Sequence, residues 1–233
     1  MLFFDPMYLV FLLPGVLLAM WAQARVSMAY SEGSRIPSAS GLTGAQAAAE
    51  IMRAEGVHGV AIEPVSGQMT DHYDPSQKVL RLSEGVYGGR SLAALGIAAH
   101  EAGHAGQDAT GYSALVVRNL MVPVAGFGSS AAWIVMIAGL VLHQFGLVVA
   151  GIALFSTTAL FQLINLPVEY DASRRARHAL AKTGMITPEE DEVVGRVLNA
   201  AAWTYVAATL TSFLVLLYYL YRFGLLGGRS RDD

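Results

Sequence analysis

The chain has no cysteine, which excludes disulfides and thiolate metal ligands together, so any bound metal must be held by imidazole and carboxylate. Charge is scarce as well. Asp, Glu, Lys and Arg make up 14% of the 233 residues against 54% hydrophobic ones, and mean hydropathy is +0.46. Such a balance excludes an ordinary soluble domain and points to a membrane protein with a modest water-exposed part. The net charge of −3 offers no general attraction for nucleic acid, so no nucleic-acid partner is expected.

Long uncharged runs are what the sequence has instead. The first extends from Met7 to Ala24 and is broken only by Pro14-Gly15, which a membrane helix tolerates. Ala22-Gln23-Ala24 imitates a signal-peptide cleavage site, but Asp5 stands where such a peptide needs Lys or Arg, which favours a transmembrane anchor at residues 1–24. No Asp, Glu, Lys or Arg occurs between Arg118 and Glu169. That stretch is too long for a single span of about 20 residues. It reads as an antiparallel hairpin at 118–168, with spans Val122 to Leu142 and Phe145 to Leu166 turning at His143-Gln144. Arg118 and Glu169 then emerge on one side. A last run, Val197 to Tyr221, gives a fourth helix at 197–223, and a disordered tail is expected at 224–233.

The expected fold is therefore mainly α, with four transmembrane helices and a small α+β soluble domain at 25–117 between the first and second. Within that domain Thr43 to Glu55 reads as an amphipathic helix, and Val57 to Val65 and Lys78 to Leu82 as short strands separated by a turn at Asp71 to Ser76. Ser91 to Gln107 is a further helix with Ser91 as N-cap. The strand at Lys78 to Leu82 is a candidate edge on which a substrate peptide adds as an extra strand. Arg25, Arg118, Arg174, Arg175, Arg177 and Arg196 lie on the side of this domain, against Arg222, Arg229 and Arg231 on the other. The positive-inside rule thus makes the domain and the helical segment 169–196 cytoplasmic.

His100-Glu101-Ala102-Gly103-His104 has the spacing of a zinc site. Residues four apart share a helix face, so two imidazoles can grip one Zn²⁺. Glu101 then reaches a metal-bound water without coordinating the metal, as a general base requires. The apolar residues Leu92 to Ala99 predict a buried helix, on which a Glu between two His is costly without a metal or partner. A catalytic zinc takes three protein ligands. A histidine third ligand of the metzincin kind needs a glycine at 107 and a histidine at 110, where the chain has Gln107 and Thr110. A distant carboxylate remains, and Glu169 is the candidate, its alternative role being an interfacial charge that ends a span.

At about 100° per residue, Ser173 lies about 40° and Arg177 about 80° from Glu169 on a helix, with Asp171 and His178 on the opposite side. Ser173 is thus a candidate to support a zinc ligand, and Arg177 to steady an oxyanion. Asn165, four residues earlier, shares the face of Glu169. His72 and Tyr73 either shape the turn before Asp74-Pro75 or donate to a tetrahedral intermediate. His143 is read as polar punctuation between spans.

Four segments together resemble the bacterial YugP-like neutral zinc metallopeptidases: Asp71-His72-Tyr73-Asp74-Pro75; Leu80-Arg81-Leu82-Ser83; His100-Glu101-Ala102-Gly103-His104-Ala105 with Gln107; and Leu166-Pro167-Val168-Glu169-Tyr170-Asp171-Ala172-Ser173. The resemblance covers nearly the whole chain. It implies a zincin-like domain, one Zn²⁺ per chain and peptide hydrolysis at the bacterial cell (inner) membrane. The family is similar to the membrane gluzincins that include HtpX and the CAAX-processing proteases, in which the Glu of a Glu-x-x-x-Asp pattern is the third ligand. Glu169 and Ser173 match that pattern here, with Ser in place of Asp. The expected function is a zinc endopeptidase acting on membrane or membrane-proximal polypeptides. The rival readings are a zinc-binding scaffold or inactive protease, and a site-2-type intramembrane protease.

Overall fold

A computed structural model describes residues 5–226, so residues 227–233 of the expected tail lie outside the described residues. In chain order the elements are α1 (Pro6–Ser34), α2 (Gly44–Ala54), β1 (Ala61–Val65), β2 (His72–Asp74), β3 (Val79–Ser83), α3 (Glu84–Tyr87), α4 (Leu92–Ala109), α5 (Ser113–Val141), α6 (Phe145–Lys182) and α7 (Pro188–Arg222). Among the described residues four helices, α1, α5, α6 and α7, are long and apolar enough to cross a membrane. The described residues form a mainly helical fold with four candidate membrane-spanning helices and one small three-stranded sheet.

These helices outrun the apolar stretches that announce them. α1 continues past Ala24 to Ser34, α6 runs on through Pro167 to Lys182, and α7 begins at Pro188 rather than Val197. Hydropathy marks where lipid contact suits the side chains, whereas Ala, Arg, Glu and Leu beyond those points are good helix formers and give the chain no reason to stop.

The chain divides into two compact units. The first contains Val117–Leu166, the described residues up to Trp21 and those from Thr204 onward. Its core is Ala132, Met136, Val148, Ile152, Val215, Tyr218 and Tyr219. A β-carbon on Gly151 would stand 2.9 Å from the carbonyl oxygen of Ala132, so α5 and α6 approach at a distance that only a small residue permits. His143 makes the turn between them in the left-handed region, at φ 51°. Leu120, Phe127, Ile134 and Val141, seven residues apart along α5, are each exposed by 69% or more and form an apolar stripe suited to lipid. Arg222 Nε lies 3.3 Å from Asp5 Oδ2, so the start of α1 and the end of α7 meet.

The second unit comprises Ala22–Val116 and Pro167–Trp203. Its sheet has the order β1-β3-β2, with β1 parallel and β2 antiparallel to β3. This corrects the expectation that Lys78 to Leu82 offers an edge to substrate: β3 is the central, buried strand, and both its sides are taken. β2 lies inside the expected turn. The turn itself follows at Asp74, whose Oδ1 accepts from the Ser76 hydroxyl at 2.6 Å and the Ser76 and Gln77 amides at 2.9 and 3.1 Å. Those bonds, the Ser76 hydroxyl foremost, hold the Asp74 carboxyl at about 2. β1 is shorter than expected because Gly56 and Gly59 turn the chain at φ 70° and 75°.

The core of this unit joins Ile51 and Met52 of α2, Leu80 and Leu82 of β3, Leu92, Leu95 and Ala98 of α4, and Ala176, Ala179 and Leu180 of α6. Thr43 and Gln46 cap α2 reciprocally, at 3.2 and 2.9 Å. Ser91 caps α4 as expected, its hydroxyl accepting from the Ala94 amide at 3.2 Å.

Candidate metal centre

α4 is rich in Ala, Gly and Leu, and most of its residues are buried. A helix so enclosed holds its polar side chains in fixed directions, and its helical period stacks His100 over His104. Their ring centroids are 4.8 Å apart with planes at 86°. α6 faces this turn with Glu169, only 4% exposed, whose Oε2 lies 3.2 Å from His100 Nε2 and 3.7 Å from His104 Nε2. One ligand atom from each of the three residues falls within 4.8 Å of the others. Atoms bound to a tetrahedral zinc at about 2.0–2.2 Å stand about 3.4 Å apart, so the His-His-Glu set fits zinc in both chemistry and spacing.

Electrostatics lead to the same view. Burial pushes the Glu169 carboxyl up, but the bonds and charges of His100 and His104 outweigh it and hold the group far below the usual carboxylate range. Burial pushes the His104 imidazole down, but the Glu169 bond and the Glu101 charge outweigh it and raise its affinity for a proton. The pocket favours positive charge. Glu101 itself is buried, 8% exposed, on the same helix turn.

The outer nitrogens of both rings are occupied. Ser173 Oγ lies 3.1 Å from His100 Nδ1, and Gln107 Oε1 lies 3.0 Å from His104 Nδ1. Each ring therefore presents Nε2 to Glu169. Gln107 is fully buried and donates through Nε2 to the Val168 carbonyl at 2.8 Å and to Asp171 Oδ2 at 3.0 Å. Asp171 also accepts from Arg175 Nε at 2.6 Å and from Arg174. Helical geometry alone turns Asp171 away from Glu169, yet both are buried against α4. The available signal for Gln107 was a long amide in an otherwise apolar helix, three residues beyond a metal-spaced histidine.

The remaining candidates are held elsewhere. Arg177 forms a two-pronged pair with Asp191 of α7, with Nε 2.8 Å from Oδ1, and lines a cavity of about 430 Å³ that also includes Ser173 and Asn199. The Tyr73 hydroxyl donates to Asp108 Oδ2 at 2.6 Å; burial first, then that bond and charge, push the phenol well above its ordinary value. His72 is exposed on β2, with Nδ1 2.8 Å from the Thr70 carbonyl. Asn165 belongs to the first unit and accepts from Arg118 Nε at 3.3 Å.

The family model described as "Putative neutral zinc metallopeptidase" matches residues 8–224. The chain belongs to this zinc metallopeptidase family. A curated relative, "Putative membrane protease YugP" of Bacillus subtilis (strain 168), is 44% identical over 215 residues, which cover 92% of this chain and 95% of the relative. No solved structure matches the chain. Family membership points to zinc as the metal and to a polypeptide as the substrate class, and the four apolar helices point to a lipid bilayer.

Proposed function

We propose that the chain is a zinc-dependent membrane endopeptidase of the gluzincin type, in which His100, His104 and Glu169 hold one Zn²⁺ per chain and Glu101 is the general base. The observation that carries this reading is the convergence of the three ligand atoms within 4.8 Å on two packed helices. When bound, Zn²⁺ supplies Lewis acidity that lowers the pKa of water to about 7. With the metal held there, Glu101 would accept a proton from the attacking water on a carboxylate oxygen and return it to the departing amide nitrogen. His100 and His104 offer their Nε2 lone pairs, with Ser173 and Gln107 on the far nitrogens. Asp191 and Asp108 engage Arg177 and Tyr73, so neither is assigned to the oxyanion.

In this reading residues 25–117 are a zincin-like domain between the first and second spans, and 169–196 carry the third ligand to it. Both face the cytoplasm from the bacterial cell membrane, which the six basic residues near those span ends support. Substrates are membrane or membrane-proximal polypeptides. α4 is not one of the four helices long and apolar enough to span, which weighs against intramembrane cleavage of the site-2 type. Retention of Glu101 weighs against a scaffold, because catalysis requires it and zinc binding does not.

Digestion of casein by the purified full chain, with and without a chelator, tests the reading. Cleavage should require zinc, and Glu101→Gln should keep the zinc and lose the cleavage. Stoichiometric zinc without turnover favours the scaffold, and cleavage by Glu101→Gln removes the mechanism.

A further inference from the structure

Gln107 carries two amide hydrogens and one carbonyl oxygen, and the structure gives each a partner. The hydrogens on Nε2 go to the Val168 carbonyl at 2.8 Å and to Asp171 Oδ2 at 3.0 Å, both of which can only accept. Turning the amide over would set its oxygen against those two acceptors inside a fully buried pocket. The orientation is thus dictated by chemistry rather than chosen. Asp171 is itself anchored by Arg175 at 2.6 Å and by Arg174, so the platform under the amide is an ion pair with a carboxylate that cannot donate.

With Oε1 fixed toward His104 Nδ1 at 3.0 Å, that nitrogen must carry a hydrogen. A neutral imidazole with Nδ1–H has its lone pair on Nε2, the nitrogen that faces Glu169. His100 is held differently. Its Nδ1 meets the Ser173 hydroxyl at 3.1 Å, which can donate or accept and so imposes no tautomer. The same Gln107 amide also bonds the residue before Glu169 and, through Asp171, the second residue after it.

We propose that Gln107 is a positioning residue that fixes the tautomer of His104, so that Nε2 is the nitrogen offered to the metal, and aligns Glu169 with it. The proposal rests on the assignment of His104 and Glu169 as zinc ligands. Gln107 touches neither substrate nor metal. It acts through His104, and its loss is felt first as weaker and less selective capture of the ion.

The test uses full-length protein in detergent with ¹⁵N-labelled histidine, whose zinc-dependent imidazole shifts identify the coordinating nitrogens. Ser173→Ala perturbs His100 alone and so separates the two rings. His104 should bind zinc through Nε2 and keep a proton on Nδ1. Binding through Nδ1 overturns the proposal without any variant that must fold. Zinc affinity by chelator competition supplies the second readout. Gln107→Leu should bind zinc about 10- to 100-fold more weakly, and its spectrum should shift at His104 Nδ1 while His100 is unchanged. Gln107→Glu keeps an acceptor toward Nδ1 but sets its second oxygen against the Val168 carbonyl and Asp171, so it should not restore the parent affinity. Unchanged affinity in Gln107→Leu overturns the proposal while leaving the metal site standing. Absence of zinc binding by the unaltered protein overturns the metal site and this proposal with it.

Discussion

Gly103 of α4 lies against Ala172 of α6 so closely that a β-carbon at position 103 would stand 2.8 Å from the Ala172 carbonyl oxygen. The contact falls between His100 and His104 on one helix and between Glu169 and Ser173 on the other. It sets the distance across which the three candidate ligands meet.

Replacing Gly103 with Ala should therefore separate the helices. On an isolated helix this change is stabilising by about 1 kcal/mol. Here the overpacking cost of about 1–3 kcal/mol reverses the sign. Thermal unfolding should show a lower midpoint for Gly103→Ala, and chelator competition a zinc affinity at least about tenfold weaker. A variant as stable and as tight-binding as the parent contradicts the close-approach argument.

The site also carries a pH signature with opposite signs in its two states. Without zinc, burial disfavours protonated His104, but the Glu169 bond outweighs it and raises the folded-state value above 6.5. Its stabilisation is fully present below 6.5 and is lost as pH rises through that raised value. Glu169 is held far below 4.5, so its contribution disappears only in acid, outside this window. Zinc needs both imidazoles unprotonated, so its affinity should climb across the same rise in pH. Calorimetry with chelator and a zinc titration at each pH check the two slopes. A flat affinity contradicts the prediction.

Loss of the cap at Ser91 should loosen the helix that presents both histidines. Its hydroxyl accepts from the Ala94 amide at 3.2 Å. Ser91→Ala should cost about 1 kcal/mol in chemical unfolding, and Ser91→Asp should restore most of it.

The absence of native cysteine makes topology directly measurable. Ser66 is exposed after β1, in the segment assigned to the cytoplasm. Ser66→Cys should react with a membrane-impermeant maleimide in inverted vesicles and not in intact cells. The reverse pattern would place the segment that carries His100 and His104 outside.

Much of this could be read from residues alone, and the divisions have physical causes. The spacing of His100 and His104 encodes a helix face directly, and Glu169 stands where an uncharged hairpin must return. Ser173 follows from the same period, and its hydroxyl does meet His100 Nδ1. Asp171 and Gln107 escaped because which face of α6 meets α4 is decided by packing at Gly103 and Ala172, which no single-helix projection contains. β2 escaped because three residues beside an Asx turn carry almost no periodicity. The central place of β3 escaped because alternation encodes a face and not a strand order.

Zinc-edge X-ray absorption with metal analysis on the purified chain and on Glu169→Ala tests whether His100, His104 and Glu169 hold the metal. One zinc per unaltered chain is expected, bound by two imidazoles and a carboxylate, with a zinc content that collapses in Glu169→Ala. Full zinc content with an unchanged spectrum in Glu169→Ala contradicts that assignment.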